Sequence, residues 1–474
     1  MVASEAAPYA KTGGLADVVS ALPRALAHLG HAVDLVIPRY RGITAGERIA
    51  RVAVRHGEAS GDADIYAVDE AGVRTVFVDH PPYYHREHLY GLGSTDYPDN
   101  AARFAFLAGA ALAWGATARE RYDVVHAHDW QAGLVPVLLR RGGAEGALGG
   151  VPAVFTIHNI AYQGLFDAHW LSRLDLDPTL MDAAALEFWG RISFLKGGIV
   201  FSRYVTTVSR SYAREIQTPE FGFGFDGILR GRSQDLIGIL NGIDYDEWDP
   251  ARDPHLSVPY DASRLDGKAV AKRQLLELVG LPAGDEDRRR PLVGLISRMV
   301  DQKGFDLLAG LAEDLPRLDA SFVLLGTGER RYEDLWRGLA ARHPERIAVR
   351  IGFSEALAHR IAAGADLFLM PSRFEPCGLN QMYSLRYGTV PVVRATGGLA
   401  DTVQDVDTAT GEGTGFAFRE ASGAALIGAL RRALDRYRNR PAWRRIQAAA
   451  MRQDFSWGTS ARQYAGVYEK AYNK

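Results

Sequence analysis

The feature that most restricts the fold is a recurring pattern of short apolar runs, each followed by a glycine or polar turn and a helix-like segment. A strand that is buried on both faces carries apolar side chains without polar alternation, so such runs predict parallel strands covered by helices. In the first half the runs are HAVDLVIP, RTVFVDH, YDVVHAHDW, PAVFTIHN, YVTTVS and LIGILNGID. In the second half they are LVGLISR, SFVLLGTGE, RIAVRIGF, ADLFLMPSR and TVPVVRATGG. The sequence therefore predicts an α/β fold of the doubly wound type.

The two series of runs predict two domains. At 474 residues the chain is too long for one ordinary core, since domains usually hold roughly 100–200 residues. A connector rich in Asp, Pro and Tyr, residues 241–268, separates the two series. We predict Rossmann-like domains over residues 1–245 and 246–455, with right-handed crossovers. Many polar strings follow the predicted strands, where open α/β sheets bind ligands, so they converge if both sheets face one cleft.

A six-residue string, TGGLAD, occurs twice, at Thr12–Asp17 and Thr396–Asp401. Its glycines free the backbone, and the residues after them can start a helix whose N–H groups suit a phosphate or a sugar oxygen. The first copy is preceded by Lys11, which is either a solvated surface lysine or a ligand contact. The string is not a P-loop, because the lysine precedes the glycines, and it is not GxGxxG.

Composition excludes several classes of partner. The net charge of −2 gives no field that would attract nucleic acid or an anionic membrane, and no basic run is interleaved with aromatic residues. The longest uncharged stretch, Phe104–Ala118, falls short of the roughly 20 residues that a membrane span needs and predicts a buried helix. A single cysteine, Cys377, fits a reducing compartment, and no signal peptide is visible. We expect a cytoplasmic protein.

Two cations, Arg298 and Lys303, follow the predicted strand LVGLI. They are either exposed charges or a pair that neutralises a pyrophosphate. A cation about 4 Å from a phosphate charge contributes roughly 4 kcal/mol at an effective dielectric constant near 20. If this attraction arises mainly as a leaving group departs, it accelerates the reaction by up to roughly a thousandfold.

Two further polar residues are candidates for sugar contacts. Glu375 follows the run ADLFLMPS, and Gly378 allows close backbone approach there, although a loop carboxylate also caps helices. His158 in TIHN is suited to a sugar hydroxyl or to a structural hydrogen bond. No residue pattern around Cys377 indicates that its thiol is an activated nucleophile.

A metal site is disfavoured. His126, His128 and Asp129 in HAHDW resemble metal ligands, but no fourth ligand is apparent. The Asp-x-Asp strings fall in polar, turn-like stretches and indicate solvation. We predict neither a metal nor a cofactor.

Taken together and in order, the strings KTGGLADVV, HAHDW, TIHN, NGID, SRMVDQKG, SRFEPCGL and TGGLADTV resemble bacterial glycogen synthases of the starch synthase family. The resemblance spans nearly the whole chain. It implies the GT-B fold, in which two Rossmann-like domains face a cleft and a C-terminal helix, here residues 456–474, crosses back to the first domain. It also implies that glucose is transferred from ADP-glucose to the non-reducing end of an α-1,4-glucan, with retention of the anomeric configuration.

The resemblance also implies roles for single residues. Lys11 is expected to contribute to ADP-glucose binding, and Arg298 and Lys303 to hold the diphosphate. His158 and Glu375 are expected near the transferred glucose. The remaining residues expected to contact the substrates are Gly13, Gly14, Asp17, Asp129, Asn241, Cys377, Gly378, Leu379, Thr396, Gly397 and Gly398.

Two departures bear on this resemblance. Many related retaining transferases have a second glutamate eight positions after the first, where this chain has Tyr383, as glycogen synthases do. Family members also begin with more apolar residues before VASE, so we expect a truncated first strand. The alternatives are another GT-B nucleotide-sugar glycosyltransferase, or a glucan-binding paralogue with impaired catalysis.

Overall fold

The computed structural model describes residues 1–93, 95–141 and 146–474, which form two compact units. Unit 1 consists of Met1–Gly242 and Trp457–Lys474, and unit 2 of Ile243–Ser456. Each unit contains its own sheet, parallel in unit 2 and mixed in unit 1, in agreement with the predicted α/β class.

The strands of unit 1 include every apolar run predicted in the first half of the sequence. They are β1 (Val33–Pro38), β2 (Glu47–His56), β3 (Ala59–Glu70), β4 (Val73–Asp79), β5 (Gly91–Leu92), β6 (Thr95–Asp96), β7 (Val125–His128), β8 (Ala153–Ile157), β9 (Leu165–Asp167), β10 (Glu187–Phe188), β11 (Arg191–Ser193), β12 (Tyr204–Thr207) and β13 (Leu236–Gly238).

The N-terminal residues lie at the centre of the unit 1 sheet. Val2 forms parallel bridges to Val36 in β1 and to Ala127 in β7. On one side of residues 1–3 the order is β1-β4-β3-β2, and on the other it is β7-β8-β12-β13. β2 and β3 form an antiparallel extension, while the other neighbouring strands pair in parallel. The order therefore reverses between residues 1–3 and β7, which makes this position a topological switch point.

The strands of unit 2 include every run predicted in the second half. They are β14 (Leu292–Ile296), β15 (Ser321–Gly326), β16 (Ile347–Ile351), β17 (Leu367–Met370), β18 (Val390–Arg394) and β19 (Phe416–Phe418). All pair in parallel in the order β16-β15-β14-β17-β18-β19. This is the Rossmann order, and its switch point lies between β14 and β17.

The helices connect the strands, and serine side chains cap several of them. They are α1 (Gly14–His28), α2 (Pro81–Tyr84), α3 (Asn100–Gly115), α4 (Leu134–Arg141), α5 (Trp170–Arg173), α6 (Phe194–Phe201), α7 (Arg210–Glu215), α8 (Asp226–Gly231), α9 (Asp266–Val279), α10 (Asp285–Arg289), α11 (Phe305–Gly310), α12 (Arg330–Arg342), α13 (Glu355–Gly364), α14 (Asn380–Arg386), α15 (Gly397–Thr402), α16 (Gly423–Arg438), α17 (Arg440–Met451) and α18 (Trp457–Asn473). Ser209, Ser354 and Ser422 accept backbone N–H groups in the first turns of α7, α13 and α16.

The uninterrupted apolar runs are explained by two cores, one on each face of the unit 2 sheet. In β15, Phe322 and Leu324 belong to one cluster, while Val323 and Leu325 belong to the other. Successive strand residues point to opposite faces, so a strand between two cores has no position for a polar side chain. The predicted buried helix is α3, whose residues are almost all buried. Among the described residues, no helix is long and apolar enough to cross a membrane.

The C-terminal helix α18 belongs to the core of unit 1. Tyr464 and Val467 pack in one cluster with Val18 and Leu22 of α1. The hydroxyl of Tyr468 lies 2.8 Å from Nδ1 of His126 in β7. Helix α18 therefore contacts a strand whose carboxyl end carries candidate site residues.

We expect Tyr464→Ala to lower the free energy of unfolding of unit 1 by about 3–5 kcal/mol, because it removes a fully buried aromatic ring. Tyr472→Ala on the same helix is the matched control, since that ring is 59% exposed. Urea titration followed by circular dichroism, with scanning calorimetry, measures both variants. Equal destabilisation would contradict the assignment of α18 to the core.

Candidate active site

In unit 2, two predicted site residues meet across the switch point. Lys303 follows β14 and Glu375 follows β17. The ammonium Nζ of Lys303 lies 2.8 and 2.6 Å from the two carboxylate oxygens of Glu375. Ser372 donates a further hydrogen bond of 2.9 Å to the same carboxylate, which is buried. The structure thus forms a shielded ion pair from residues 72 positions apart.

A glycine makes this meeting possible. The turn containing Lys303 ends at Gly304, whose φ is +78°. A Cβ on Gly304 would lie 2.1 Å from the carbonyl oxygen of Pro371, far inside van der Waals contact. Because glycine alone lacks this atom and tolerates this φ, the turn after β14 can pack directly on the loop after β17.

Arg298 lies beside the same ion pair. Arg298, Lys303, Ser372 and Asn380 line a cavity of about 130 Å³ at the ends of β14 and β17. The Arg298 side chain is exposed, and within the described part of the chain it makes no hydrogen bond or ion pair. Its guanidinium is therefore available to an anion.

The second glycine turn supports the loop that carries Glu375. Gly397 has a φ of +47°, and a Cβ there would lie 2.0 Å from the carbonyl oxygen of Glu375. The N–H of Gly398 donates to the same carbonyl at 3.1 Å. Cys377 is buried and Gly378 precedes α14, while Thr396 is buried at the start of α15. Leu379 occupies the N-cap position of α14.

In unit 1, the strings HAHDW and TIHN lie side by side because β7 pairs with β8. Asp129 has a φ of +56°, which is costly for a residue with a side chain. Its carboxylate accepts the backbone N–H of His158 at 2.8 Å, and its own N–H donates to the carbonyl of Thr156 at 3.0 Å. Hydrogen bonds from a neighbouring strand thus hold this strained residue.

Burial shifts the pKa values of Asp129 and His158 in the directions that favour their neutral forms. Burial raises the pKa of Asp129 to about 7, against hydrogen bonds from backbone N–H groups that lower it, and the charge of Glu5 raises it further. Burial lowers the pKa of His158 to about 3. Nε2 of His158 lies 3.0 Å from Nδ1 of His128, whose pKa burial also lowers. His158 is therefore a neutral hydrogen-bonding group at physiological pH.

The first glycine turn differs from the second. Gly13 has an extended backbone, φ −159°, which any residue adopts, and a Cβ there would meet no atom within 4 Å. The expectation that glycine frees the backbone in both copies is therefore wrong for Gly13. The space around Gly13 is open. The exposed Lys11 forms a 2.7 Å ion pair with Asp17 in α1, which begins at Gly14.

A buried carboxylate holds this turn. Glu5 accepts hydrogen bonds from both the N–H and the hydroxyl of Thr12, the latter at 2.6 Å. The hydroxyl of Tyr90 donates to the same carboxylate. These contacts fix the position of the turn relative to the end of the central strand.

Asn241 follows β13 at the same edge of the unit 1 sheet. It is buried, and its Oδ1 accepts no hydrogen bond from the described residues. An unsatisfied buried acceptor marks a position that a ligand can fill.

The histidines of HAHDW bind other protein groups. His126 contacts Tyr468 and, at 2.6 Å, the hydroxyl of Thr156, while His128 contacts His158. In the described residues, the groups close enough to hold a metal ion lie elsewhere, and they share His359 of unit 2.

Comparison with known proteins finds family models and relatives that together match nearly the whole chain. Residues 1–231 match the family described as "Starch synthase catalytic domain", and residues 282–450 match "Glycosyl transferases group 1". The glycogen synthase of Koribacter versatilis is 49% identical over 99% of this chain and 97% of its own length. The chain belongs to the glycogen synthase family. The glycogen synthase of Anaeromyxobacter sp. (strain Fw109-5) is 51% identical, with 98% of each chain covered.

Solved structures agree with membership of the glycogen synthase family. The catalytic domain of starch synthase IV from Arabidopsis thaliana, bound to ADP and acarbose, has a TM-score of 0.90 and 36% identity, covering 100% of this chain and 99% of that one. Sucrose-phosphate synthase from Thermosynechococcus elongatus, at 17% identity and a TM-score of 0.63, shows the fold alone. The resemblance read from the motifs and the GT-B fold class are confirmed, and the protein is a glycosyltransferase.

The structure also explains the tyrosine found in this glycogen synthase family member eight positions after Glu375. The ring of Tyr383 stacks on Trp248 at 3.9 Å with an interplanar angle of 8°. Trp248 in turn stacks on His359 at 3.8 Å. Tyr383 is thus part of a stacked aromatic group in unit 2.

Three residues near the candidate site residues were not predicted from the sequence. Glu5 and Tyr90 hold the first glycine turn, and only the unusual glutamate after the first apolar residues pointed to such a role. Phe353, which is 86% exposed, follows β16 two strands away from β14. An exposed ring at the carboxyl edge of this sheet is suited to stacking on a flat ligand group.

We expect Asp129→Asn to change the pH dependence of stability. An acid whose pKa rises from 3.8 to about 7 on folding takes up a proton between these values, so its contribution to stability falls as pH increases through this range. His158 acts in the opposite sense, because its pKa falls from 6.5 to about 3. The variant removes only the first contribution and keeps an oxygen for the N–H of His158.

The melting temperature of Asp129→Asn relative to the unmodified protein should therefore rise from about pH 4 to about pH 7 and then level off. Exposed Asp123→Asn is the control, because water solvates that carboxylate in both states. A difference that does not vary with pH would contradict the burial effect.

Proposed function

We propose that the protein transfers glucose from ADP-glucose to the non-reducing end of an α-1,4-glucan, with retention of configuration. The observation that carries this proposal is the contact between Lys303 and Glu375 at the switch point of unit 2, with Arg298 on the same cavity. The relatives named glycogen synthase and the starch synthase solved with ADP support the choice of donor and acceptor.

Arg298 and Lys303 would bind the diphosphate of the donor. The charge on the leaving ADP grows as the glycosidic bond breaks, so fixed cations stabilise the transition state more than the ground state. At about 4 Å and an effective dielectric constant near 20, each cation contributes roughly 4 kcal/mol. No metal is needed for this charge compensation in the proposed reaction.

Glu375 would have two roles. Its carboxylate fixes the ammonium of Lys303 through two hydrogen bonds, so the cation is already oriented before the donor binds. Its remaining lone pairs suit glucose hydroxyls or a developing positive centre. In the retaining reaction the acceptor hydroxyl attacks the face that the phosphate leaves, and the departing phosphate oxygen takes its proton.

Unit 1 would contribute buried polar groups for the sugars. Neutral His158 and Asn241 offer hydrogen bonds to hydroxyl groups, and Asp129 offers a carboxyl group whose pKa is about 7. Lys11 is exposed and Asp17 half-buried beside the open turn, where we propose a further contact with the donor. The other predicted contacts are Gly13, Gly14, Cys377, Gly378, Leu379, Thr396, Gly397 and Gly398.

The direct test is an ADP-release assay with glycogen as acceptor. We expect the protein to release ADP from ADP-glucose and to lengthen the glucan, while UDP-glucose supports a much lower kcat/KM. Product chains analysed by electrophoresis separate transfer from hydrolysis. Turnover with UDP-glucose but none with ADP-glucose would refute the donor assignment.

We expect Lys303→Ala to lower kcat by roughly 100- to 1000-fold while changing the KM for glycogen by less than about threefold, since the lost charge acts on the leaving group. The exposed Lys470→Ala serves as the control for loss of a lysine. Melting temperatures of Lys303→Ala and of Lys303→Ala/Glu375→Gln separate loss of charge from misfolding, since an unpaired buried carboxylate would lower the melting temperature of the first variant only. Unchanged turnover in Lys303→Ala would remove the diphosphate role.

A further inference from the structure

Two aromatic rings stand out on the surface of unit 1. Trp189 lies in the turn between β10 and β11 and is 82% exposed. Phe223 lies in the loop before α8 and is 42% exposed. Single exposed rings are common on protein surfaces, but exposed rings that adjoin one another mark a binding surface.

The two rings belong to one patch. A Cβ on Gly224 would lie 3.4 Å from the indole Nε1 of Trp189, so the loop of Phe223 passes directly beside that ring. Below them, Phe188 and Phe225 are buried and stack at 4.3 Å with an interplanar angle of 5°. A buried aromatic pair therefore anchors both loops, while the rings of the neighbouring residues face solvent.

Both exposed aromatic residues have a strained backbone. The φ of Trp189 is +53° and that of Phe223 is +49°, in the left-handed region that favours glycine. Hydrogen bonds hold these conformations, because Gly190 donates to Glu187 at 2.8 Å and Gln163 donates to the carbonyl of Phe223 at 2.8 Å. Such strain persists only where the surroundings maintain it, and it is common at binding sites.

One loop connects the patch with the candidate site residue His158. Gln163, which holds Phe223, lies five positions after His158 in the loop that follows β8. Between them Tyr162 is 50% exposed, and its N–H donates to the carbonyl of Asn159. One ordered loop therefore connects a proposed sugar contact, His158, with the exposed aromatic rings.

We propose that Tyr162, Phe223 and Trp189 form an aromatic platform that binds the glucan chain several glucose units away from its reacting end. The proposal rests on the proposed glucan acceptor. Glucose rings carry apolar C–H faces that pack on aromatic rings while their hydroxyls remain in water, and tryptophan and tyrosine suit such half-wet contacts. A long acceptor whose end reaches His158 must pass over neighbouring surface, and this loop leads to the rings.

A protein partner fits the patch less well. Protein interfaces have a large contiguous desolvated apolar core, whereas this patch consists of a few rings, and the small sheet that carries Trp189 also carries the exposed charged residues Arg191 and Asp167. A flexible polysaccharide contacts single rings in succession and needs no such core.

The test uses full-length Trp189→Asn/Phe223→Asn. Asparagine tolerates the left-handed backbone, so the variant removes both rings without adding strain. ADP release gives KM values for glycogen and for maltose, and native electrophoresis in glycogen-containing gels gives affinity without catalysis. We expect the ratio of the KM for glycogen to the KM for maltose to rise about tenfold, with a similar loss of retardation in the gel.

Two further variants keep the test specific. Tyr472→Ala removes an exposed ring from α18 and should leave the ratio unchanged. Trp189→Phe keeps a ring at the platform and should retain most of the glycogen affinity. An unchanged ratio and unchanged retardation in the double variant would overturn the platform.

Other outcomes are equally decisive. An equal rise in both KM values would overturn the platform, because it would place the rings next to the reacting sugar. Loss of a dimer in size-exclusion chromatography, with glycogen affinity intact, would reassign the patch to contact with a second copy. If the unmodified protein releases no ADP with any glucan but is still retarded by glycogen, the proposed function fails while the platform stands.

Discussion

The candidate site residues of each unit depend on the reversal of strand order in its own sheet. The helices that follow the two central strands pack on opposite faces of the sheet. The loops after these two strands are therefore not covered and can approach each other. In unit 2 this brings Lys303, after β14, onto Glu375, after β17. In unit 1 the same reversal places Glu5 near Asp129, and the charge of Glu5 raises the pKa of Asp129. The strand order of each sheet therefore determines where its candidate site residues lie, whatever the side chains are.

The two TGGLAD strings show how packing assigns different tasks to identical residues. Gly397 must be glycine, because the carbonyl of Glu375 occupies the space that a Cβ would take. Gly13 has an ordinary extended backbone and open space around it, so its small size matters only to an incoming group. A repeat in sequence thus predicts a turn before a helix in both places, but the surrounding structure determines whether that turn supports a neighbouring loop or faces solvent.

The sequence predicted the parallel strands because burial on both faces removes polar alternation, as in β15 between two cores. It missed the hairpin of β2 and β3, where exposed and buried residues alternate at the edge of the sheet. It identified Lys303 and Glu375 as separate motif residues, but their mutual contact depends on Gly304 packing against Pro371. The link from Tyr90 to Glu5 spans 85 positions and leaves no local pattern. The exposure of Trp189 was also not predictable, since a core tryptophan and a surface tryptophan look alike in sequence.

The electrostatics of the two units differ because burial acts on them differently. In unit 1 burial raises the pKa of an acid, Asp129, and lowers that of a base, His158, so both shifts move the site towards neutrality near physiological pH. In unit 2 Glu375 is buried against an ammonium group, and the guanidinium of Arg298 is exposed. Neutral donors and acceptors suit hydroxyl groups, whereas fixed cations suit a diphosphate. The physical consequence is that the charge of the unit 1 residues changes with pH near 7, because Asp129 gains or loses its proton there.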